Sequence, residues 1–182
     1  MLPKAKPVTV EELWKLRHEP YRLALIDGEL YRMPGAGGTH GEVTVELCVC
    51  LKPFVAAHSL GALFAETGFR LFPDRMTTLF PDVAFVRAER VPKGQERERF
   101  LNLYPDLAIE IYSPRDYPKL LTEKIAAYLE AGTTLVWVLY PRTRSVVVHK
   151  LGEEPITLGP DAVLDGGEVL PGFSIRVGDL FP

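Results

Sequence analysis

The segment Leu107-Ala-Ile-Glu-Ile-Tyr112 is an apolar run broken once, by Glu110. A strand with one wet face alternates apolar and polar residues. A nearly continuous apolar run belongs instead at the centre of a sheet covered on both faces. The chain must therefore supply a layer on each side of that strand. It must also compensate Glu110, because a buried carboxylate is costly unless it is paired, hydrogen-bonded or bound to a metal.

The pattern recurs once. Pro81-Asp-Val-Ala-Phe-Val86 opens on Asp82 and continues with little polar character. A second strand with an acidic residue at its start is expected there.

The surrounding elements give the core its frame. Thr9 and Glu12 have capping-box spacing before an apolar stripe begun by Leu13 and Leu16, so residues 9–18 read as a helix. Asp27-Gly28 lies between two apolar segments within residues 22–33 and predicts a two-residue hairpin. Residues 34–41 are a glycine-rich loop. Val43, Leu47, Cys50, Leu51 and Phe54 then fall on one face of a helix over residues 41–58. Short strands are expected at 63–64 and 69–72, and a charged loop or lid at 87–102. A helix follows over residues 118–131, ended by Gly132, then strands at 135–140 and 145–150 that pair as a hairpin, and short β segments up to Phe181. This order predicts an α/β (α+β) domain: a mixed β-sheet flanked by helices, with an N-terminal helix and β-hairpin.

The helix over residues 118–131 holds an anomaly. At about 100° per residue, with Leu120 at zero, Lys124 lies near 40°, Tyr128 near 80° and Leu121 near 100°. Lys119, Glu123 and Glu130 gather on the opposite side. Lys124 thus falls inside the apolar stripe and points toward the strand carrying Glu110. Each of the three charges has an ordinary structural reading: Asp82 as a cap after Pro81, Glu110 paired with a core arginine, Lys124 snorkelling to the surface. Found together in consecutive core elements, they describe a site. Two carboxylates can hold Mg²⁺, and a lysine can orient a water and stabilise charge on a phosphate.

Composition sets limits. Hydrophobic residues make up 47% and charged residues 25% of 182 residues, enough for one folded domain over 1–182. No apolar run approaches the roughly 20 residues of a membrane helix, and no apolar stretch follows the N-terminal lysines as in a secretory signal. A cytoplasmic protein without a membrane partner is expected. Net charge is −3, so composition gives no support to phosphate-dominated nucleic-acid binding. Cys48 and Cys50 read as small buried apolar residues on one helix. Pro34-Gly-Ala-Gly-Gly-Thr-His40 lacks the Gly-Lys-Ser/Thr ending of a phosphate loop. The run 87–99 mixes five basic residues with Glu89, Glu96 and Glu98, and reads as a solvated loop rather than a DNA-contacting arm.

Several motifs resemble the Uma-type restriction endonuclease family of the PD-(D/E)XK nuclease superfamily. They are Asp27-Gly-Glu-Leu30, His40-Gly41, residues 81–86, residues 107–114, Glu123-Lys124 with the following Ala-Tyr-Leu-Glu-Ala-Gly132, and Leu-Pro-Gly-Phe173. The likeness spans about residues 9–181 and implies a restriction-endonuclease-like core. It implies that Pro81-Asp82 is the PD element and Glu110 the second acidic ligand, with the backbone carbonyl of Ile111 as a further metal ligand. The usual lysine two positions after that glutamate is here Tyr112. The resemblance implies that its role has moved to Lys124, in agreement with the helical phase. Glu46, His40 and Glu29 are auxiliary candidates: an extra acidic residue near the metal, a phosphate or carboxylate contact, and a hairpin residue included in the motif. The implied activity is Mg²⁺- or Mn²⁺-dependent hydrolysis of phosphodiester bonds in nucleic acid, DNA before RNA. A homodimer would provide one site for each strand of a duplex. The competing readings are a catalytically inactive binding or assembly module with the same fold, and hydrolysis of another phosphate ester.

Overall fold

In the computed structural model, residues 7–72, 74–113 and 117–182 are described. The readings that touch the N-terminal lysines and Pro114 lie outside them. Helix α1 (Val10–Leu16) carries the expected capping box: the Thr9 side chain accepts from the Glu12 amide while Glu12 accepts from the Thr9 amide. Strands β1 (Arg22–Ile26) and β2 (Glu29–Met33) pair through Ile26 and Glu29. Asp27 and Gly28 have φ of 49° and 79°, the two left-handed positions of a type I′ turn.

Helix α2 spans Gly38–Ala57, starting three residues before the expected position. Glycines 38 and 41 hide this first turn from a periodicity reading, because they carry no side chain to mark a face. Strands β3 (Gly61–Ala65), β4 (Phe69–Phe72), β5 (Thr77–Leu79), β6 (Val83–Arg87) and β7 (Leu107–Ile111) follow. The three-residue β5 is too short to show periodicity and was not expected. Residues 87–102 are less irregular than expected, with 3-10 turns at Ala88–Arg90 and Gly94–Glu98. Helix α3 covers Pro118–Ala131 and ends at Gly132, whose φ of 108° is left-handed. Then come β8 (Leu135–Tyr140), β9 (Ser145–His149), β10 (Ile156–Leu158), β11 (Val163–Asp165) and β12 (Ser174–Arg176).

Six strands form the central sheet in the order β10-β9-β8-β7-β6-β3. It is mixed: β7 and β8 are parallel, joined through α3, and the other neighbours are antiparallel. All five residues of β7 are buried, as its apolar run requires. Leu107, Ile109 and Ile111 pack with Val43, Leu47, Leu51 and Val55 of α2 on one face. Ala108, with Ala84 and Val86 of β6, packs with Leu120, Ala127 and Tyr128 of α3 on the other. That second face also meets the four-stranded sheet β2-β1-β5-β4 through Ala24, Phe69, Leu71 and Leu79. Strands β11 and β12 form a separate pair. Cys48 and Cys50 are free and half-buried rather than fully buried, packed against the α2 side of the core. Among the described residues no helix is long and apolar enough to cross a membrane.

Candidate active site

Register brings the carboxylates together. Val83 pairs with Ile109 at the last β6–β7 step, so Asp82 and Glu110 stand opposite each other one step further on. Opposed residues of an antiparallel pair project from the same face, here the face covered by α3. Both are almost fully buried, 1% and 5% exposed.

Three elements hold Asp82. Its Oδ2 accepts from the Ile111 amide of β7 at 2.6 Å. Its Oδ1 lies 3.0 Å from His40 Nε2 in the first turn of α2 and 3.7 Å from Arg22 Nη1 at the start of β1. Arg22 Nη1 also approaches His40 Nε2 to 3.3 Å. A nitrogen that gives its proton to Asp82 cannot accept from Arg22, so these two donors converge on one carboxylate oxygen. Burial alone would raise the Asp82 pKa. The His40 hydrogen bond, the charges of Lys124 and His40 and the Ile111 amide outweigh it and hold the carboxyl below its ordinary value. His40 answers in kind: burial disfavours its charge, but the bond to Asp82 and the charge of Asp82 raise its pKa.

Glu110 has other partners. Lys124 Nζ donates to Oε2, and Tyr128 OH donates to Oε1 at 2.8 Å. Both donors come from α3, four residues and about one turn apart. Burial, with the charge of Asp82 behind it, pushes the Glu110 carboxyl up to about 7 despite the pull of Lys124 and Tyr128. Tyr128 is itself raised well above 10, first by burial and then by Glu110, so its phenol remains a donor. Lys124 is only 6% exposed, on the inward face of its helix. Tyr112, where the usual lysine would stand, leans against Tyr140 with ring centroids 5.2 Å apart.

The structure adds Arg22 and Tyr128 to the constellation, and also Glu66. The β3–β6 ladder ends with Ala65 opposite Val83, which sets Glu66 beside Asp82. Glu66, Asp82 and Glu110 thus form a row across the ends of three neighbouring strands. Glu66 has a left-handed φ of 49°, and its amide donates to the Asp82 carbonyl at 3.3 Å. Its residue is exposed, yet crowding by the protein and then the Asp82 charge raise its carboxyl pKa. One sequence carries no register between β3 and β6, so nothing in it singles out Glu66. For Tyr128, the helical phase shared with Lys124 was the available signal.

The other auxiliary candidates lie elsewhere. Glu46 is half-buried further along α2, where its charge acts on Cys50 together with Asp179. Glu29 is exposed and acts on Tyr31, whose pKa is pushed up to about 12 by burial first and then by Glu123 and Glu29. Neither has a hydrogen bond or ion pair to Asp82 or Glu110 among the described residues.

Two spaces border the constellation. A cavity of about 20 Å³ is bounded by Arg22, Glu110, Ile111, Tyr112 and Lys124 among others. A cleft of about 470 Å³ reaches Lys124, Arg22 and Glu66 from the surface. Among the described residues no group of three or more His, Cys, Asp or Glu side chains is arranged to hold a metal ion. Any ion here would rest on two carboxylates, with oxygens from elsewhere completing its shell. That is how Mg²⁺ is commonly held, by one or two carboxylates with waters and substrate phosphate.

A profile of the Uma2 family, described as "Putative restriction endonuclease", matches residues 10–178. No curated protein matches the chain. A crystal structure from Anabaena variabilis, described as a putative nuclease belonging to DUF820, superposes with a TM-score of 0.83. It is 23% identical and covers 96% of this chain and 98% of that one. At that identity the likeness is one of fold.

Proposed function

From the premise that the chain belongs to the Uma2 restriction endonuclease family, we propose that residues 1–182 form one domain that cleaves DNA by Mg²⁺- or Mn²⁺-dependent phosphodiester hydrolysis. The observation that carries this reading is the opposition of Asp82 and Glu110 on adjacent strands, with Lys124 donating to Glu110.

The residues fit a divalent ion on three counts. The Glu110 carboxyl is raised by burial beside a second carboxylate, so added positive charge at this point is favourable. The 20 Å³ space lined by Glu110 and Ile111 admits one water or ion. The Ile111 amide is fixed by its hydrogen bond to Asp82. Asp82, Glu110 and the Ile111 carbonyl would hold the ion, which when bound supplies Lewis-acid stabilisation of the phosphate and a more acidic water.

The remaining work falls to the chain. Lys124 would orient the attacking water and neutralise charge developing on the phosphate. In this reading Lys124 replaces the strand lysine that Tyr112 cannot be. Tyr128 keeps Glu110 aligned. His40 holds Asp82 ionised and, with Arg22, fixes it in place. Purified protein with DNA and Mn²⁺ is expected to cleave, and Asp82→Ala and Lys124→Ala are expected not to. Cleavage by both variants at the wild-type rate would remove this assignment.

A second reading, a binding or assembly module without catalysis, draws on the net charge of −3 and on the protein donors that already engage both carboxylates. Calorimetric titration with Mn²⁺ separates the two: saturable binding lost in Asp82→Ala supports the nuclease, and its absence supports the module.

A further inference from the structure

The cleft that opens onto Lys124 combines basic and aromatic side chains. Arg17, Arg22, Arg99 and Lys124 line it against a single carboxylate, Glu66, in a chain whose net charge is −3. Its outer wall is aromatic. Trp14 meets Phe100 edge to face at 4.9 Å, and Phe100 meets Phe80 in the same way at 5.3 Å. The guanidinium carbons of Arg17 and Arg99 lie 4.4 and 5.8 Å from the centre of the Trp14 ring. Arg17 is spent partly on the helix, donating to the Trp14 carbonyl at 2.6 Å. Arg99 has no hydrogen bond or ion pair among the described residues. A second cleft of about 460 Å³ continues beyond Trp14, Arg99 and Phe100, which line both.

Building this wall is a long-range affair. Trp14 comes from α1, whose Leu13 is anchored in the core. Phe100 and Arg99 come from the end of the 87–102 connection, tied down where Leu101 bridges to Phe69. Two separate segments therefore place aromatic rings and guanidinium groups at the mouth of the candidate site.

We propose that this cleft binds single-stranded DNA, taking one unpaired base beside Trp14 and Phe100 and its phosphates on Arg99 and Arg17, and leading the strand to Lys124. The inference rests on the nuclease reading of the site for its direction, and it adds that the substrate is unpaired. Aromatic rings with neighbouring arginines accept any base through its π face and its phosphate through charge. In a duplex those faces are closed by stacking, and a base must leave the helix to be gripped in a pocket. The volume suits a nucleotide-sized ligand. Duplex binding is instead dominated by extended phosphate neutralisation, which the net charge of −3 does not favour.

The test uses a short fluorescein-labelled single-stranded oligodeoxynucleotide and its duplex, in EDTA so that binding is read apart from cleavage. Anisotropy is expected to give about ten-fold tighter binding of the single strand than of the duplex, and about ten-fold weaker single-strand binding in Arg99→Ala. An unlabelled strand is expected to quench tryptophan fluorescence. Trp137 is fully buried, so that quench belongs to Trp14 and is expected to vanish in Trp14→Phe. Equal or tighter duplex binding, a quench that survives Trp14→Phe, or wild-type affinity in Arg99→Ala overturns the proposal. Arg99→Ala carries the test by itself if Trp14→Phe does not fold. Single-strand binding without cleavage of any substrate sinks the nuclease reading and leaves this one standing. Duplex cleavage without single-strand binding does the reverse.

Discussion

Lys124 donates to Glu110 from one inward face of α3, although the two residues lie 14 positions apart and Tyr112 occupies the place nearer in sequence. Removing one member of a buried ion pair typically costs about 3–5 kcal/mol, because the other charge is stranded. Lys124→Met is expected to destabilise the fold by that order in urea denaturation. The double variant Lys124→Met/Glu110→Gln should recover much of the loss while remaining inactive. A double variant no more stable than Lys124→Met would show that the pair is not what sets the cost.

The metal-free protein should weaken as the solution becomes less acidic. Glu110 binds its proton more tightly folded than unfolded, with a pKa raised from 4.5 to about 7. The stability this contributes is full below the unfolded value and is lost as pH rises through about 7. Thermal melts in EDTA should show that decline, and Glu110→Gln should flatten it. Asp82 works in the opposite sense: its lowered pKa stabilises above its ordinary value of 3.8, and that part is lost on acidification.

His40 Nε2 lies 3.0 Å from Asp82 Oδ1. His40→Ala is expected to lower Mn²⁺ affinity or cleavage rate by about 10–100-fold, as is usual when a partner of a metal ligand is removed. Its signature is residual activity, whereas Asp82→Ala should leave none. Metal titration and initial rates at saturating Mn²⁺ distinguish the two effects.

Tyr128→Phe removes one hydroxyl from Glu110 and nothing else from the core. A hydrogen bond to a charged group is worth about 1.5–3 kcal/mol. Because the Tyr128 bond pulls the Glu110 pKa down, the variant should move the pH-dependent loss of stability to higher pH. A melt-versus-pH curve that coincides with the wild type would contradict this.

Gly132→Ala tests the frame that carries Lys124. The glycine ends α3 at φ 108°, and an added Cβ would stand 2.8 Å from the Tyr104 ring. A left-handed alanine costs about 1–2 kcal/mol before any clash, so a loss of at least that order is expected in urea denaturation.

Elements marked by local chemistry could be read directly. The capping box at Thr9, the Asp27-Gly28 turn, the apolar run through Glu110 and the span of α3 up to Gly132 each follow from neighbouring residues. The burial of Lys124 followed from helical phase for the same reason. What depends on how strands meet could not be read. Glu66 joins the row only because β3 pairs with β6 in one particular register, and Arg22 joins because β1 brings it against that sheet. Glu46 drew attention as an acidic residue on the right helix, but it lies further along, toward Cys50. His40 sits in a turn whose glycines conceal the helix start.

A cation supplied by a strand stays in place as long as the sheet does. Here it is supplied by α3, which joins the sheet through one face of side chains and no backbone ladder. Helices held in this way can open locally with less free energy than the whole fold requires. Native-state hydrogen exchange should find the α3 amides opening before those of β6 and β7. Each such opening withdraws Lys124 and Tyr128 together, while Asp82 and Glu110 remain facing each other on an intact sheet.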